Sequence, residues 1–235
     1  MRPIRRVWIT RAQPGAARTA VRLTALGFTP VVAPLLAIRP LPEALPRFLG
    51  AAPDLTTVAA LAFTSPNGVA AFAALTPDLR DRPVFAVGDA TAEAARDAGF
   101  ADARSAAGDI HALAALIAAT PIDGLILAPG AREPAGDLPA LLPGRTIQRL
   151  PVYAAEETGA VPPPDFDAVL LHSPRAARAL AAALPSQAAR NRLAVCISDA
   201  AVAPLAAHSF AEIRVADAPD ETSLLTVLGK SAGPV

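Results

Sequence analysis

Short apolar runs rich in β-branched residues alternate along this chain with longer, alanine-rich stretches whose apolar positions recur every three or four residues. "RVWIT" predicts a strand, and "PGAARTAVRLTALG" predicts a helix with Pro14 near its first turn and Gly27 as its stop. "TPVVAPLLAI" predicts an extended run. The pattern continues through "TVAALAFTS", "PNGVAAFAAL", "RPVFAVG", "ATAEAARDAG" and "DIHALAALIAA". Strands alternating in this way with helices predict α/β architecture around a mostly parallel sheet.

The pattern is then written a second time. "LAFTSPNGVAAFAAL" returns about 110 positions later as "LLHSPRAARALAAAL". "DGLILAPGAREPAGDLPALLPGRTIQRLPVYAAE" repeats the strand, helix, glycine and strand order of the N-terminal stretch, so that Gly144 stands where Gly27 stood. "RLAVCISDAAVAPLAAHSF" echoes "RPVFAVGDATAEAARDAGF", and "APDETSLLTVL" echoes "AAGDIHALAALI". The period is far above the roughly 20–50 residues of stacked repeats, so this is a duplicated half and not a solenoid. Each half supplies about five strands, enough for one flavodoxin-like, doubly wound parallel-sheet lobe. Periodicity leaves two pairings open. Neighbouring segments can pair into sequential lobes, or the first can pair with the fourth and the second with the third. In the second case one lobe is discontinuous, and "PLLAIRP" and "LPVYAAE" cross between lobes.

Composition narrows the function classes. Hydrophobic residues make up 53% of the chain, but Pro, Gly or charge interrupts each apolar run before the ~18 residues a membrane span needs. "MRPIRRVWITR" enters a strand-like run with no apolar signal segment, which sets the expectation of a cytoplasmic protein. Lys+Arg and Asp+Glu are both 21, so no global field recruits nucleic acid or an anionic membrane, and an anionic ligand must be held locally. Lys230 is the only lysine. Cys196, the only cysteine, rules out an internal disulfide and reads as core packing within "RLAVCIS". His111, His172 and His208 are too dispersed for metal-ligand spacing, and no metal site is expected. "GDATAEAARDAG" lacks both GxGxxG and the GK[ST] ending, which argues against dinucleotide and P-loop sites.

The remaining chemistry sits at strand-to-helix corners. In open α/β sheets ligands gather at the carboxyl ends of strands, where helix N-termini present free N–H groups and partial positive charge. "TSPN" and "HSPR" each place Ser at an N-cap with Pro at the first helical position, and "VGDAT" and "ISDAA" form a second pair of corners one strand later. Asp89 and Asp199 within that second pair read as acids favouring a helix start.

Taken together, "WITRAQPGAARTAVRLTALGFTPVVAPLLAI", "FTSPNGVAAF", "FAVGDATAEAARDAGF" and "LPVYAAE" resemble the uroporphyrinogen-III synthase family, essentially end to end. The resemblance implies the crossed pairing: a discontinuous lobe of residues 1–36 and 156–235, a second lobe of 40–151, and crossing strands 37–39 and 152–155 that form a two-stranded β ladder. It also implies an active site in the cleft between the lobes. The implied substrate is hydroxymethylbilane, a linear tetrapyrrole with acetate and propionate arms, closed with inversion of its last ring and loss of water. By the same resemblance, binding is expected at Thr64, Ser65, Asn67, Gly88 and Thr91 on one lobe and at Arg11, Ser173 and Ser198 on the other. Tyr153, the only tyrosine, is the implied catalytic residue, against the alternative of a half-buried strand aromatic with a wet hydroxyl. No cofactor, nucleic acid or membrane insertion is implied, and a monomer is expected.

The chain departs from the family pattern in its second half. Ser198 and Ala201 stand where a Gly and a Thr are usual, and His172 replaces the equivalent of Thr64. Those departures keep open a non-catalytic, two-lobed ligand-binding or regulatory module. The helix-end anion sites also keep open a different α/β enzyme acting on phosphorylated ligands.

Overall fold

A computed structural model describes residues 4–51 and 55–229, so Lys230 lies outside the described residues. The elements fall into four stretches. The first holds β1 (Arg6–Ile9), α1 (Gly15–Ala25), β2 (Thr29–Val32) and β3 (Leu36–Pro40). The second holds α2 (Ala44–Ala51), β4 (Val58–Phe63), α3 (Pro66–Leu75), β5 (Val84–Ala86), α4 (Asp89–Asp97), β6 (Ala103–Ser105) and α5 (Ile110–Ala118). The third holds β7 (Leu125–Ala131), α6 (Leu138–Leu141) and β8 (Ile147–Glu157). The fourth holds β9 (Ala168–Leu171), α7 (Pro174–Ala183), β10 (Leu193–Cys196), α8 (Asp199–Val202), β11 (Glu212–Val215) and α9 (Glu221–Leu228).

These stretches build two compact units. One runs through Ala37 and resumes at Glu156; the other is Ile38–Ala155. The discontinuous unit carries the sheet β2-β1-β9-β10-β11, parallel at every pairing. The continuous unit carries β8-β7-β4-β5-β6, also parallel, with β3 added at the edge beside β8. Counted from the first strand of each unit's βαβ core, both orders read 2-1-3-4-5, the flavodoxin-type doubly wound arrangement. The order reverses between β1 and β9 in one unit and between β7 and β4 in the other, which makes the carboxyl ends of those strands the crevices where ligands bind in such sheets.

Helices on both faces explain why the central strands are apolar throughout. Val7 and Ile9 face α1 and α9 through Ala16, Leu23, Leu224 and Leu225, while Trp8 between them faces Ala176 and Leu180 of α7. Fully buried Trp8 satisfies its indole by donating to the Ala33 carbonyl at 2.7 Å. Cys196 is buried in the same core, and burial pushes its thiol up to about 12. An unreactive packing role follows.

The two halves differ where proline intervenes. "TPVVAPLLAI" is not one extended run but two strands, β2 and β3, separated around Pro34. α6 is four residues against the eleven of α1, because Pro134, Pro139 and Pro143 crowd the segment and proline cannot propagate a helix interior. Gly27 ends α1 with φ +82°, whereas Gly144 is not among the glycines with positive φ and has nothing within 4 Å of an added Cβ. Their equivalence is therefore one of sequence position only. α8 is likewise short, passing at Pro204 into a single 3₁₀ turn, Ala203–Leu205.

Candidate functional site

In the continuous unit the site starts where β4 ends. The backbone leaves Phe63, exposes Thr64 and turns at Ser65, whose extended φ and ψ of −163° and 151° are those of an N-cap. The Ser65 Oγ accepts from the Gly68 N–H at 3.1 Å, and Pro66 occupies the first helical position, where a missing N–H costs nothing. Half-buried Asn67 lies in the same first turn. A Cβ on Gly68 would lie 3.0 Å from the Pro129 carbonyl oxygen, so glycine lets the turn sit directly against β7.

Tyr153 on β8 reaches the same corner. It is 7% exposed, and its Oη lies 3.0 Å from Ser65 Oγ. Its hydroxyl thus meets a serine. Burial raises the phenol above its ordinary value of 10.0, and the Ser65 hydrogen bond opposes that rise. One strand further along, Gly88 is the N-cap of α4 and its carbonyl accepts from Thr91 N–H at 3.0 Å. Thr91 is 3% exposed, inside the first turn of α4. Beside Thr64 lies a cavity of about 30 Å³, lined among others by Gly130, Gly136, Leu138 and Arg149.

The discontinuous unit builds the equivalent corner differently. Ser173 caps α7 by accepting from Ala176 N–H at 3.1 Å, with Pro174 at the first helical position. This unit contains no tyrosine of its own, because Tyr153, in the continuous unit, is the chain's only one. Ser198 caps α8 with no side-chain hydrogen bond, and the Ala201 that follows it is buried. Arg11, just beyond β1, is held by Glu221 at 3.1 Å, with side-chain exposures of 30% and 19%. Its guanidinium lies close over Gly15, where an added Cβ would stand 2.5 Å from Nε. One of its five N–H donors is committed to Glu221. Thr19 donates to the second carboxylate oxygen of Glu221. His172, with a side chain 6% exposed, places Nε2 3.8 Å from that oxygen, and neither of its ring nitrogens has a hydrogen-bond partner among the described residues.

Glu221 and Thr19 complete a cluster that sequence reasoning did not single out. Arg11 and Glu221 are 210 positions apart. They meet because α1 and α9 pack on one face of the sheet through Ala16, Leu23, Leu224 and Leu225. The one local signal was Asp220 before Glu221, an acidic helix start that caps Ser223 N–H at 2.9 Å.

The cluster has a pH signature. Burial alone raises the Glu221 carboxyl, but the His172 ring, the Thr19 hydroxyl and the Arg11 guanidinium outweigh it and hold the group at about 2, against an ordinary 4.5. Burial lowers the His172 imidazole below its ordinary 6.5, with Arg11 adding to the effect and Glu221 opposing it. As pH falls through 6.5 the unfolded chain takes up a proton on His172 that the folded chain refuses, so stability is lost between 6.5 and the lower folded value. A further loss begins below 4.5, as the unfolded carboxyl protonates first, and is complete near the folded value of about 2. Thermal melts followed by circular dichroism should show both stages, and His172→Gln should remove the upper one. An unchanged slope just below 6.5 in that variant would assign the upper stage to other groups.

The structure thus joins Ser65 to Tyr153 directly, with Thr64 and Asn67 flanking them, and sets Gly88 and Thr91 at the next helix start. In the other unit, Arg11 and Ser173 end the two switch-point strands, and Ser198 follows β10. Among the described residues no group of three or more His, Cys, Asp or Glu is placed to hold a metal ion. No helix among them is long and apolar enough to cross a membrane.

Comparison with known proteins places these corners in context. The family model described as uroporphyrinogen-III synthase HemD matches residues 17–226. The chain is similar to the crystal structure of a uroporphyrinogen-III synthetase from Helicobacter pylori, with TM-score 0.66 and 17% identity over 96% of this chain and 98% of that one. It is also similar to a mutant uroporphyrinogen III synthase from Thermus thermophilus, with TM-score 0.56 and 17% identity over 95% of this chain and 97% of that one. At this identity the two structural likenesses speak for the fold. A search of curated protein sequences returns no match.

Proposed function

The chain belongs to the uroporphyrinogen-III synthase family, and from that premise we propose that it cyclises hydroxymethylbilane to uroporphyrinogen III, losing water and inverting the last pyrrole ring. The observation that carries this reading is the Tyr153 phenol, buried and hydrogen-bonded at a helix N-terminus. A phenol whose pKa lies above 10.0 is protonated at neutral pH, so it is a proton donor and not a base.

The chemistry then runs without a redox or group-transfer reagent, because the product is the substrate less water. The pyrrole nitrogen lone pair pushes into the ring as the terminal carbon–oxygen bond breaks. Tyr153 gives its proton to the departing hydroxyl, leaving water, a phenolate and an azafulvenium carbon. That electrophile meets the substituted carbon of the last pyrrole, and the resulting spiro intermediate fragments and recloses with the ring inverted. The proton shed on closure returns to the phenolate.

The unaided bilane closes without inversion, so conformational control is the protein's larger task. The helix starts at Ser65, Gly88, Ser173 and Ser198 offer backbone amides to the acetate and propionate arms, with the side chains of Thr64, Asn67 and Thr91 in the first set of corners and those of Ser173, Ser198 and Arg11 in the second. A chain of zero formal net charge can hold a polyanion through such local donors.

Freshly prepared hydroxymethylbilane, incubated with the protein and resolved into ring isomers, tests the reading. Type III product above the spontaneous type I background is expected. Type I alone, at the background rate, overturns the synthase reading, and tight tetrapyrrole binding alongside that result would favour a ligand-binding module.

A further inference from the structure

Ser65 stands between two hydrogen bonds. Gly68 N–H donates to its Oγ at 3.1 Å, and Tyr153 Oη lies 3.0 Å from the same atom. A serine hydroxyl has one proton and two lone pairs, and the capping N–H fills one lone pair. Two arrangements satisfy the rest. Tyr153 can donate to Ser65, which turns the phenol proton away from any substrate, or Ser65 can donate to Tyr153 and leave that proton free.

We propose that Ser65 is a positioning residue that donates its proton to the Tyr153 oxygen and so aims the phenol proton at the leaving hydroxyl. The proposal rests on the reading of Tyr153 as the proton donor. The donors then run one way, from Gly68 N–H to Ser65 O–H to Tyr153 O–H to the departing hydroxyl, and each polarises the next. The chain starts at the N-terminus of the ten-residue α3, whose partial positive charge favours an anion at the other end. When the carbon–oxygen bond breaks and the phenol proton leaves with the hydroxyl as water, the phenolate is left in a buried place. A hydroxyl donating to it there offsets part of the lost solvation. In the same sense, Ser65 opposes the rise that burial imposes on the phenol.

The duplicated corner supplies an internal comparison. Ser173 caps α7 through the same 3.1 Å bond, but at the Gly68 position it has Ala176, and its own unit contains no tyrosine. The cap is therefore common to both units, and the link onward to a phenol belongs to one. Gly68 keeps that corner close to β7, since a Cβ there would meet the Pro129 carbonyl at 3.0 Å, a contact that would make the corner or β7 give by a few tenths of an ångström.

Ser65→Ala, Ser65→Asp and Ser65→Thr, together with Ser65→Ala in a Tyr153→Phe background, form the test, each read as kcat and KM for type III formation and as a melting temperature. Ser65→Ala should lower kcat about 10- to 100-fold with KM little changed, the size of one hydrogen bond to a charged oxygen. Ser65→Asp keeps the cap by accepting from Gly68 N–H, so its melting temperature should hold. Its carboxylate only accepts, so it draws the phenol proton toward itself and kcat should fall at least as far. Ser65→Thr restores both bonds and should recover most of the loss. In the Tyr153→Phe background, Ser65→Ala should cost nothing further. A full kcat in Ser65→Asp, or an equal loss in both backgrounds, overturns the positioning role. A normal rate in Tyr153→Phe alone would instead overturn the reading on which it rests.

Discussion

Tyr153→Phe should slow formation of the type III product by roughly 10²- to 10⁴-fold, the range for a positioned general acid. The variant removes one oxygen from a side chain that otherwise belongs to the buried cluster holding Phe63, Leu127 and Leu150, so the fold has little reason to change. The loss should lie near the lower end of that range, because the pyrrole nitrogen already drives the hydroxyl out. It should also fall on kcat more than on KM, since the phenol proton is needed as charge develops in the transition state and not to bind the carboxylate arms. Steady-state rates with isomer analysis, beside a circular dichroism spectrum, decide the matter. A folded variant turning over at a near-normal rate would leave the helix starts to carry the whole catalytic effect.

Glu221→Ala should clearly destabilise the discontinuous unit. It strips Arg11 of its counter-ion and Thr19 of an acceptor, while Arg11 stays pressed on Gly15 with a side chain only 30% exposed. Breaking a fully buried pair in this way costs about 3–5 kcal/mol. The partial exposure of Arg11 lets water repair some of that, so about 2–3 kcal/mol is expected, or a fall of roughly 5–10 °C in melting temperature. Glu221→Gln, which still accepts from Thr19, should lose less. A fall under about 1 kcal/mol would place the pair among ordinary surface ion pairs, whatever its apparent burial.

Both predictions turn on contacts that were legible in the sequence to different degrees. Ser65 and Ser173 were readable as caps, since the Ser-Pro pair and the N–H it satisfies lie within one helical turn. Tyr153 was readable as a candidate only through its resemblance to a family, and its partner was not: Ser65 is 88 positions away. The duplication does not extend to helix length, since Pro139 lies within α6 and Pro204 just beyond α8 while the interiors of α1 and α4 have no proline, and local chemistry overrides the repeated pattern.

The sequence by itself determined what operates over a few residues: which runs are apolar on both faces and become central strands, where helices start, that one half is a copy of the other, and that Cys196 is core. Those properties follow from period, capping and composition, which act between neighbours along the chain. Tertiary structure alone decided that Tyr153 meets Ser65 and that Glu221 meets Arg11, Thr19 and His172. It also decided that Arg11 lies on Gly15 and does not project from β1. The Tyr153 and Glu221 contacts arise because strand order and helix packing bring together groups scores to hundreds of residues apart, and a buried polar side chain takes whichever partner that packing delivers, because leaving it unpaired costs more than the hydrogen bond itself contributes.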